Sequence, residues 1–396
     1  MNSNRIFNSS LQIYLGTLFF FAVFFFFQKY NNYTEWTISE WLINYQGGFT
    51  RRGLLGEIMF QISTLTSYSI REVILISQII TYLIYFYLIY KFLKNSNKNI
   101  IFVFALYSPL FIIYPIAEVE VLGRKEIFTY IAFILVANIF SSKELHNKHY
   151  VYVSMILVFS CLIWEGIIIY ISFFIFILLL KNYFLNKPDS FVKILICLIP
   201  FIITSYFIIF KRLDEYELKI MCNSINECYG AITYLNRSLS SNVGEVSSKF
   251  EIIYLIRYMV ILLVGFFPLS LLIFNSSFNL RLRSKYKNYF PLFFIIIFIP
   301  SFIFYYIAQD WGRWISASYT LSFLTYVYCL KNNIIIFSTT KFDIPILKNK
   351  FITIFLFILF SFGWSPKTLI NEDVASIPIY RKSVEIVKYF YINGGR

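Results

Sequence analysis

The chain has 396 residues, of which 58% are hydrophobic and only 14% charged, and its mean hydropathy is +0.67. Soluble domains carry about 25% charged residues, so a length that would suit two or three soluble domains reads instead as one polytopic membrane domain over 1–396. The formal net charge of +14 could suggest a nucleic-acid binder, but its placement along the chain gives that reading no support.

In chain order, apolar runs predict spans at 11–28, 73–93, 99–117, 126–141, 150–164, 166–181, 191–210, 251–275, 289–308, 315–330 and 350–364. A span needs roughly 20 mostly apolar residues, ~17 at the least. The expected fold is therefore an all-α polytopic membrane protein of about 11 transmembrane helices. The first run has one basic residue before it, Arg5, and no small-x-small site after it, so it reads as a membrane helix and not a cleaved signal. Residues 54–66 read as a short re-entrant or interfacial helix. The double run 150–181 is too long for one span and short for two.

Basic residues set the orientation. With the N-terminus inside, the inner segments hold Arg5, Lys91, Lys94, Lys98, Lys143, Lys148, Lys181, Lys187, Lys193, Arg281, Arg283, Lys285, Lys287, Lys331, Lys341, Lys348 and Lys350, against only Glu144, Asp189 and Asp343. That excess equals the whole net charge, as the positive-inside tendency predicts, and the anionic inner leaflet is the partner of those lysines. The outer segments are then 29–72, 118–125, a large loop at 211–250, 309–314 and the tail 365–396. Cys222 and Cys228 form C-x5-C in the large loop, where no second pair or His completes a zinc site. A disulfide there would require an oxidising compartment; two unrelated thiols are the alternative.

Three outward clusters could carry chemistry. The first, Trp41-Leu-Ile-Asn-Tyr-Gln-Gly-Gly-Phe-Thr-Arg51-Arg52-Gly-Leu-Leu-Gly-Glu57, has glycines that allow close backbone approach to a ligand and adjacent arginines able to fork onto phosphate. Arginines contacting headgroups are the plainer reading. The second, Glu118-Val-Glu120-Val-Leu-Gly-Arg124-Lys125-Glu126, offers Glu118 and Glu120 as acid/base candidates and Arg124 and Lys125 as anion partners; a solvated loop of mutually paired charges is its alternative. The third, Gln309-Asp310-Trp-Gly312-Arg313-Trp314, reads as a tight shaped link, or as an interfacial anchor. Glu165 is either an ionisable group at membrane depth or a residue of an outer turn. No P-loop, HExxH or GxSxG occurs, and no metal or cofactor is expected.

A lipid-linked diphosphate would suit such a site. Positive charge would stabilise the departing diphosphate, and a carboxylate would accept the proton of the attacking hydroxyl. The architecture, together with Asn44–Glu57 (NYQGGFTRRGLLGE), Gly123–Glu126 (GRKE) and Asp310–Trp314 (DWGRW), resembles bacterial O-antigen or capsule repeat-unit polymerases of the Wzy type. The arginine-to-glycine spacing R-x10-G of some members is absent at Arg51, Arg52, Arg124, Arg237 and Arg313. The resemblance implies transfer of a growing glycan from undecaprenyl diphosphate to a new lipid-linked repeat, at the periplasmic face of the inner membrane; a chain-length regulator would be a protein partner. By position, Arg51, Arg52, Arg124 and Arg313 would hold diphosphate, with Glu118, Glu120 and Asp310 as candidate bases. Arg52→Ala or Arg313→Ala should then abolish polymer while leaving protein in the membrane. Two rivals stand beside this. One is a GT-C-type glycosyltransferase with a polyprenyl-phosphate sugar, for whose acidic first-loop motif Glu35 and Glu40 match poorly. The other is a transporter or flippase, expected to show mid-membrane charges and broken helices in paired repeats.

Overall fold

The computed structural model describes residues 2–32, 35–96, 99–142, 144–185, 189–279, 288–338 and 349–370. Lys98, Lys143, Lys187, the basic run Arg281–Lys287, Lys341, Asp343, Lys348 and the tail beyond Ile370 lie outside the described residues. The chain is helical almost throughout. Among the described residues, five helical stretches are long and apolar enough to cross a membrane: Arg5–Tyr30, Ile70–Leu93, Phe191–Phe210, Ile252–Phe274 and Phe290–Ile307. Shorter apolar helices lie at Ile127–Phe140, Asn147–Ile163, Ile167–Lys181 and Lys350–Phe362. Outward faces carry bulky apolar side chains such as Ile196, Ile203, Phe207 and Phe210, the perimeter a helical membrane protein needs.

α1 (Asn2–Tyr30) is followed by two short helices, α2 (Trp36–Leu42) and α3 (Gly53–Thr66), the latter where the interfacial helix is expected. α4 (Ile70–Leu93) starts from a reciprocal cap between Ser69 and Glu72 and packs antiparallel to α1, with Gln12 donating to Tyr90 at one level and Phe26 meeting Tyr82 at another. The expected continuous span at 99–117 is not formed. α5 (Ile100–Leu106) and α6 (Tyr114–Ala117) are separated by irregular backbone and followed by a 3-10 turn at Val119–Val121. Pro109 removes a backbone N–H and disfavours helix at Ser108, while Pro115 falls in the first turn of α6, where its missing N–H costs no helical bond. The irregular stretch is buried: Ser108, Leu110, Phe111 and Ile112 are all 1% exposed or less. Non-helical backbone at this depth is tolerated only inside protein or along a cavity.

α7 (Ile127–Phe140), α8 (Asn147–Ile163) and α9 (Ile167–Leu185) follow, so the double run at 150–181 is two helices with Trp164–Gly166 between them. α10 (Asp189–Phe210) leads to a capping segment of α11 (Glu215–Ile225), a 3-10 turn at Gly230–Tyr234 and α12 (Leu239–Lys249). α13 (Ile252–Phe274) precedes α14 (Phe290–Phe298) and α15 (Ile303–Ile307), which are joined by a 3-10 turn at Ile299–Phe302 containing Pro300. α16 (Trp311–Lys331) is the axis of the bundle, buried at every residue from Trp311 to Cys329, and α17 (Lys350–Phe362) lies outside it against α5. One antiparallel strand pair, β1 (Ser276–Phe278) with β2 (Ile335–Phe337), departs from the all-α expectation and ties α13 to α16.

The segments read as outer meet at one end of the bundle. Arg51 donates to the Tyr234 carbonyl at 2.8 Å, Arg71 pairs with Glu227 at 3.2 Å, Lys249 reaches Gln309 at 3.3 Å and Lys367 lies 3.6 Å from Glu118.

Candidate functional site

The Arg51-Arg52-Gly53 turn opens α3 with Arg52 in the left-handed region (φ 63°), a conformation that surrounding contacts must enforce in a bulky residue. Two contacts hold it. Lys125 Nζ donates to the Arg52 carbonyl at 2.7 Å, and the guanidinium is spent on two carboxylates: Nε and Nη2 on Glu165 at 2.7 Å each, and Nη1 on Glu40 at 3.0 Å. Glu165 thus lies in the turn between α8 and α9, joined to the arginines. Burial opposes its ionisation, but the Arg52 charge and hydrogen bonds, helped by Arg51, hold its carboxyl down to about 2. The glycines here serve packing and not a ligand cradle: a side chain at Gly56 would collide with the Ile43 carbonyl, so α3 can cross that strand-like segment only at glycine.

The 118–126 segment is buried and not a solvated loop. Trp41 donates to the Gly123 carbonyl at 2.6 Å, and the Gly123 N–H donates to the Tyr82 hydroxyl at 3.0 Å. Its charges find partners elsewhere in the chain. Glu118 faces Lys367, Glu126 faces Arg313, and Lys125, fully buried, is pushed by desolvation and by Arg52 down to about 7. Glu120 is exposed and makes no ion pair with the described residues.

The expected link at 309–314 is instead the start of α16. Arg313, 3% exposed, is held bidentately by Glu126 (Nε–Oε1 2.7 Å, Nη2–Oε2 2.8 Å), and its Nη1 meets Asp310 at 2.7 Å. Its guanidinium stacks over Trp314 at 4.5 Å. Trp311 and Trp314 are both 4% exposed, which overturns their reading as interfacial anchors: they lie inside the protein. Gly312 is required by close packing, since a Cβ there would strike the Lys367 carbonyl of the segment 363–370. That segment is fastened by Gly312 N–H to the Thr368 carbonyl (3.2 Å) and by the Tyr258 hydroxyl to the carbonyls of Lys367 and Leu369.

The four expected anion-binding arginines therefore fall into two kinds. Arg52 and Arg313 are saturated by carboxylates. Arg51 spends Nη2 on Tyr234 and has Glu165 at 3.9 Å. Arg124, 8% exposed, gives Nε to the Glu120 carbonyl at 3.3 Å; its Nη1 is 3.8 Å from Glu40, and neither terminal nitrogen finds a hydrogen-bond acceptor among the described residues. Desolvation, with Arg313 adding to it, pulls the Arg124 guanidinium below its ordinary range. Of the expected bases, Glu118 and Asp310 are ion-paired and Glu120 is not.

Beside Arg124 lies a small recess of about 20 Å³, walled by α4, the irregular 107–121 stretch, α7 and α16. Tyr85, Tyr114, Tyr130, Arg124, Glu126 and Arg313 line it. Over the arginine turn sits the capping segment, in which Cys222 and Cys228 are disulfide-linked. The Ala231 N–H donates to Ser39, and Trp36 packs edge-on against Tyr234.

Sequence reasoning gave no role to Glu40 and Glu126. Glu40 is 0% exposed, with one carboxylate oxygen lacking any hydrogen bond; burial opposes its charge, but Arg52 and Arg124 keep its carboxyl below the ordinary range. Nothing in Trp36–Leu42 marks it as buried. Glu126 did carry a signal, since it immediately precedes α7, where the helix dipole favours an anion. No protein-family model, curated protein or solved structure matches the chain.

Proposed function

We propose that this protein polymerises lipid-linked oligosaccharide repeat units, as of an O-antigen or capsule, by glycosyl transfer from undecaprenyl diphosphate at the periplasmic face of a bacterial inner membrane. One observation carries the reading: Arg124 is buried, neither of its terminal nitrogens is hydrogen-bonded among the described residues and its ion pair to Glu40 is long at 3.8 Å, and it stands at the edge of a recess four residues from the exposed Glu120, which makes no ion pair with the described residues. A buried guanidinium without full compensation is costly, and an incoming diphosphate would complete it. Arg124 and Arg51 would stabilise the diphosphate as the anomeric carbon–oxygen bond breaks and the electron pair leaves with it. The acceptor hydroxyl oxygen would form the new bond, and Glu120 would take its proton. In this reading Arg52 and Arg313 shape the site through their carboxylates and do not touch the phosphate.

The test is deletion of the gene, complementation with Arg124→Ala or Glu120→Gln, and electrophoresis of the surface glycolipid. The expected result is lipid core capped with a single repeat in both variants at normal protein level; a wild-type ladder from Arg124→Ala overturns the proposal. A transporter is the second reading, favoured by the interruptions at 107–113 and 299–302. It predicts no repeat at the surface after deletion. A GT-C-type transferase predicts a truncated or missing repeat.

A further inference from the structure

α3 has three sides of different chemistry. Leu55, Gly56 and Met59 are buried against the protein. Ile58, Ile62 and Leu65, at the helical spacing i, i+4, i+7, form a bare apolar face, 44%, 37% and 83% exposed. Glu57, Gln61 and Thr64 make the third side, where Glu57 accepts from the Tyr45 N–H and from the amides of Gln46 and Gln61. The hydroxyls of the helix are also spent within the chain. Ser63 donates to the Tyr68 carbonyl, Thr64 to that of Gln61 and Thr66 to that of Ile62. Hydrocarbon demands such internal pairing, and water does not.

The direction of α3 is fixed at two points. Ser67–Ser69 joins its end to the start of α4, and about two turns in from that join Ser77 meets the Met59 sulfur at 2.9 Å. The two helices therefore run side by side and antiparallel, which a helix lying flat across the end of α4 could not do. On α4, Val73 is buried in one cluster with Leu55 and Met59, whereas Ile84, about three turns further along the same face, is exposed. α3 thus covers only the first part of α4, and its Arg52 turn lies about 20 Å along from the join, for 14 residues at ~1.5 Å each. The 118–126 segment agrees, since it reaches Tyr82 of α4 through Gly123 and Arg52 through Lys125. α4 is apolar enough to cross a membrane. Its 24 residues measure about 36 Å against a hydrocarbon core of about 30 Å, so a turn that far from its start falls below the headgroups.

We infer that α3 is a re-entrant half-span. Its Ile58–Ile62–Leu65 face lies against the acyl chains of the leaflet at the charged end, continuous with the exposed Ile80 and Ile84 of α4. It carries the Arg51–Arg52 turn down into that leaflet. This goes beyond the proposed reaction and holds whatever that reaction is.

The test places single cysteines at Ile58, Ile62, Leu65 and, at the tip of the hairpin, Tyr68. Each is spin-labelled in full-length protein in phosphatidylethanolamine/phosphatidylglycerol nanodiscs, without reductant, so that the Cys222–Cys228 bridge stays closed. Cys161, Cys197 and Cys329 are buried, and the unsubstituted chain supplies the labelling blank. Collisions with oxygen and with a polar nickel chelate are read by electron paramagnetic resonance. The oxygen-to-nickel ratio at Ile58 should be severalfold that at Tyr68, and label depth should increase from Leu65 to Ile58 by about 10 Å, at ~1.5 Å per residue. Equal depths at Ile58, Ile62 and Leu65 would place the helix flat at the interface and overturn the inference. So would free nickel access at Ile58 and Ile62, which puts the face in water, or collision with neither reagent at all three, which puts another protein surface on it. If Ile58→Cys fails to reconstitute, Ile62 and Leu65 alone carry the gradient, about 4–5 Å over one turn, and its absence overturns the inference equally.

Discussion

At the scale of single residues, the charged end separates arginines that hold the protein together from arginines free to act. Arg313→Ala leaves Glu126 buried without its partner. A loss of about 3–5 kcal/mol is expected for breaking such a pair, seen as depleted membrane protein; the paired replacement Arg313→Met/Glu126→Leu should restore much of the protein level without restoring polymer. Loss of polymer in Arg313→Ala alone would therefore not report on phosphate binding, whereas loss in Arg124→Ala would. Glu165 supplies a pH signature. Its carboxyl is held from 4.5 down to about 2, so the unfolded chain binds more protons in that window. The stability it lends is complete above about pH 4.5 and lost as pH falls through about 2, on the order of 3 kcal/mol in all. Thermal melts of detergent-solubilised wild type and Glu165→Gln between pH 6 and 3 should converge as the pH falls. The sequence announced the arginines through their unusual outward placement. It could not announce their partners, because Arg313 and Glu126 lie 187 residues apart and only the packing of α7 on α16 brings them together.

At the scale of elements, hydropathy gave the long helices well and misjudged continuity. The run 99–117 is apolar throughout, and nothing in its hydropathy separates a straight span from a broken one. Pro109 is the available signal, since it disfavours helix at Ser108, whereas Pro115 sits in the first turn of α6, where a proline is tolerated. The start of α16 was placed at 315, because Gln309–Arg313 looks polar enough to be a loop; in the fold those polar groups are spent on Glu126, Asp310 and the segment 363–370. That segment depends on the missing side chain of Gly312. Gly312→Ala should push the Lys367 carbonyl away and release it. A cysteine at Ser365, 6% exposed in the native chain, should then react with a polar maleimide at least tenfold faster than in the Gly312 background, on the order of 1–2 kcal/mol of lost local stability. Equal rates would mean that its other contacts, with Tyr258, Glu118 and the Gln309 carbonyl, suffice to hold the segment.

At the scale of the whole molecule, the distribution of lysine and arginine gave a grouping of loops that the fold reproduces: segments near 30–72, 118–126, 211–250 and 309–314 converge. The direction in which that end faces is a separate matter, set by the positive-inside tendency. Cysteines introduced at Tyr68 and Ser247 should label from outside intact cells, and cysteines at Asn95 and Asn333 only after permeabilisation; the reverse pattern would invert the proposed topology. The specific role of the charged end was less legible than its existence, since composition records how many charges face outward and not which are spent on each other.

α16 carries one more implication, for assembly. Its buried surface is rich in Ser, Thr and Tyr, with an arginine in its first turn, and it is not among the helices apolar enough to cross a membrane unaided. A bilayer would accept it poorly as an isolated segment, whereas a bundle already holding α7, α9 and α13 presents carboxylates and packed side chains to receive it. Chains truncated after Lys331 should therefore retain α16 in the membrane only when the preceding helices are intact, and Glu126→Ala should release it toward water. The centre of the bundle would then become secure only after the helices before it, and the charged site would form only once α16 has joined them.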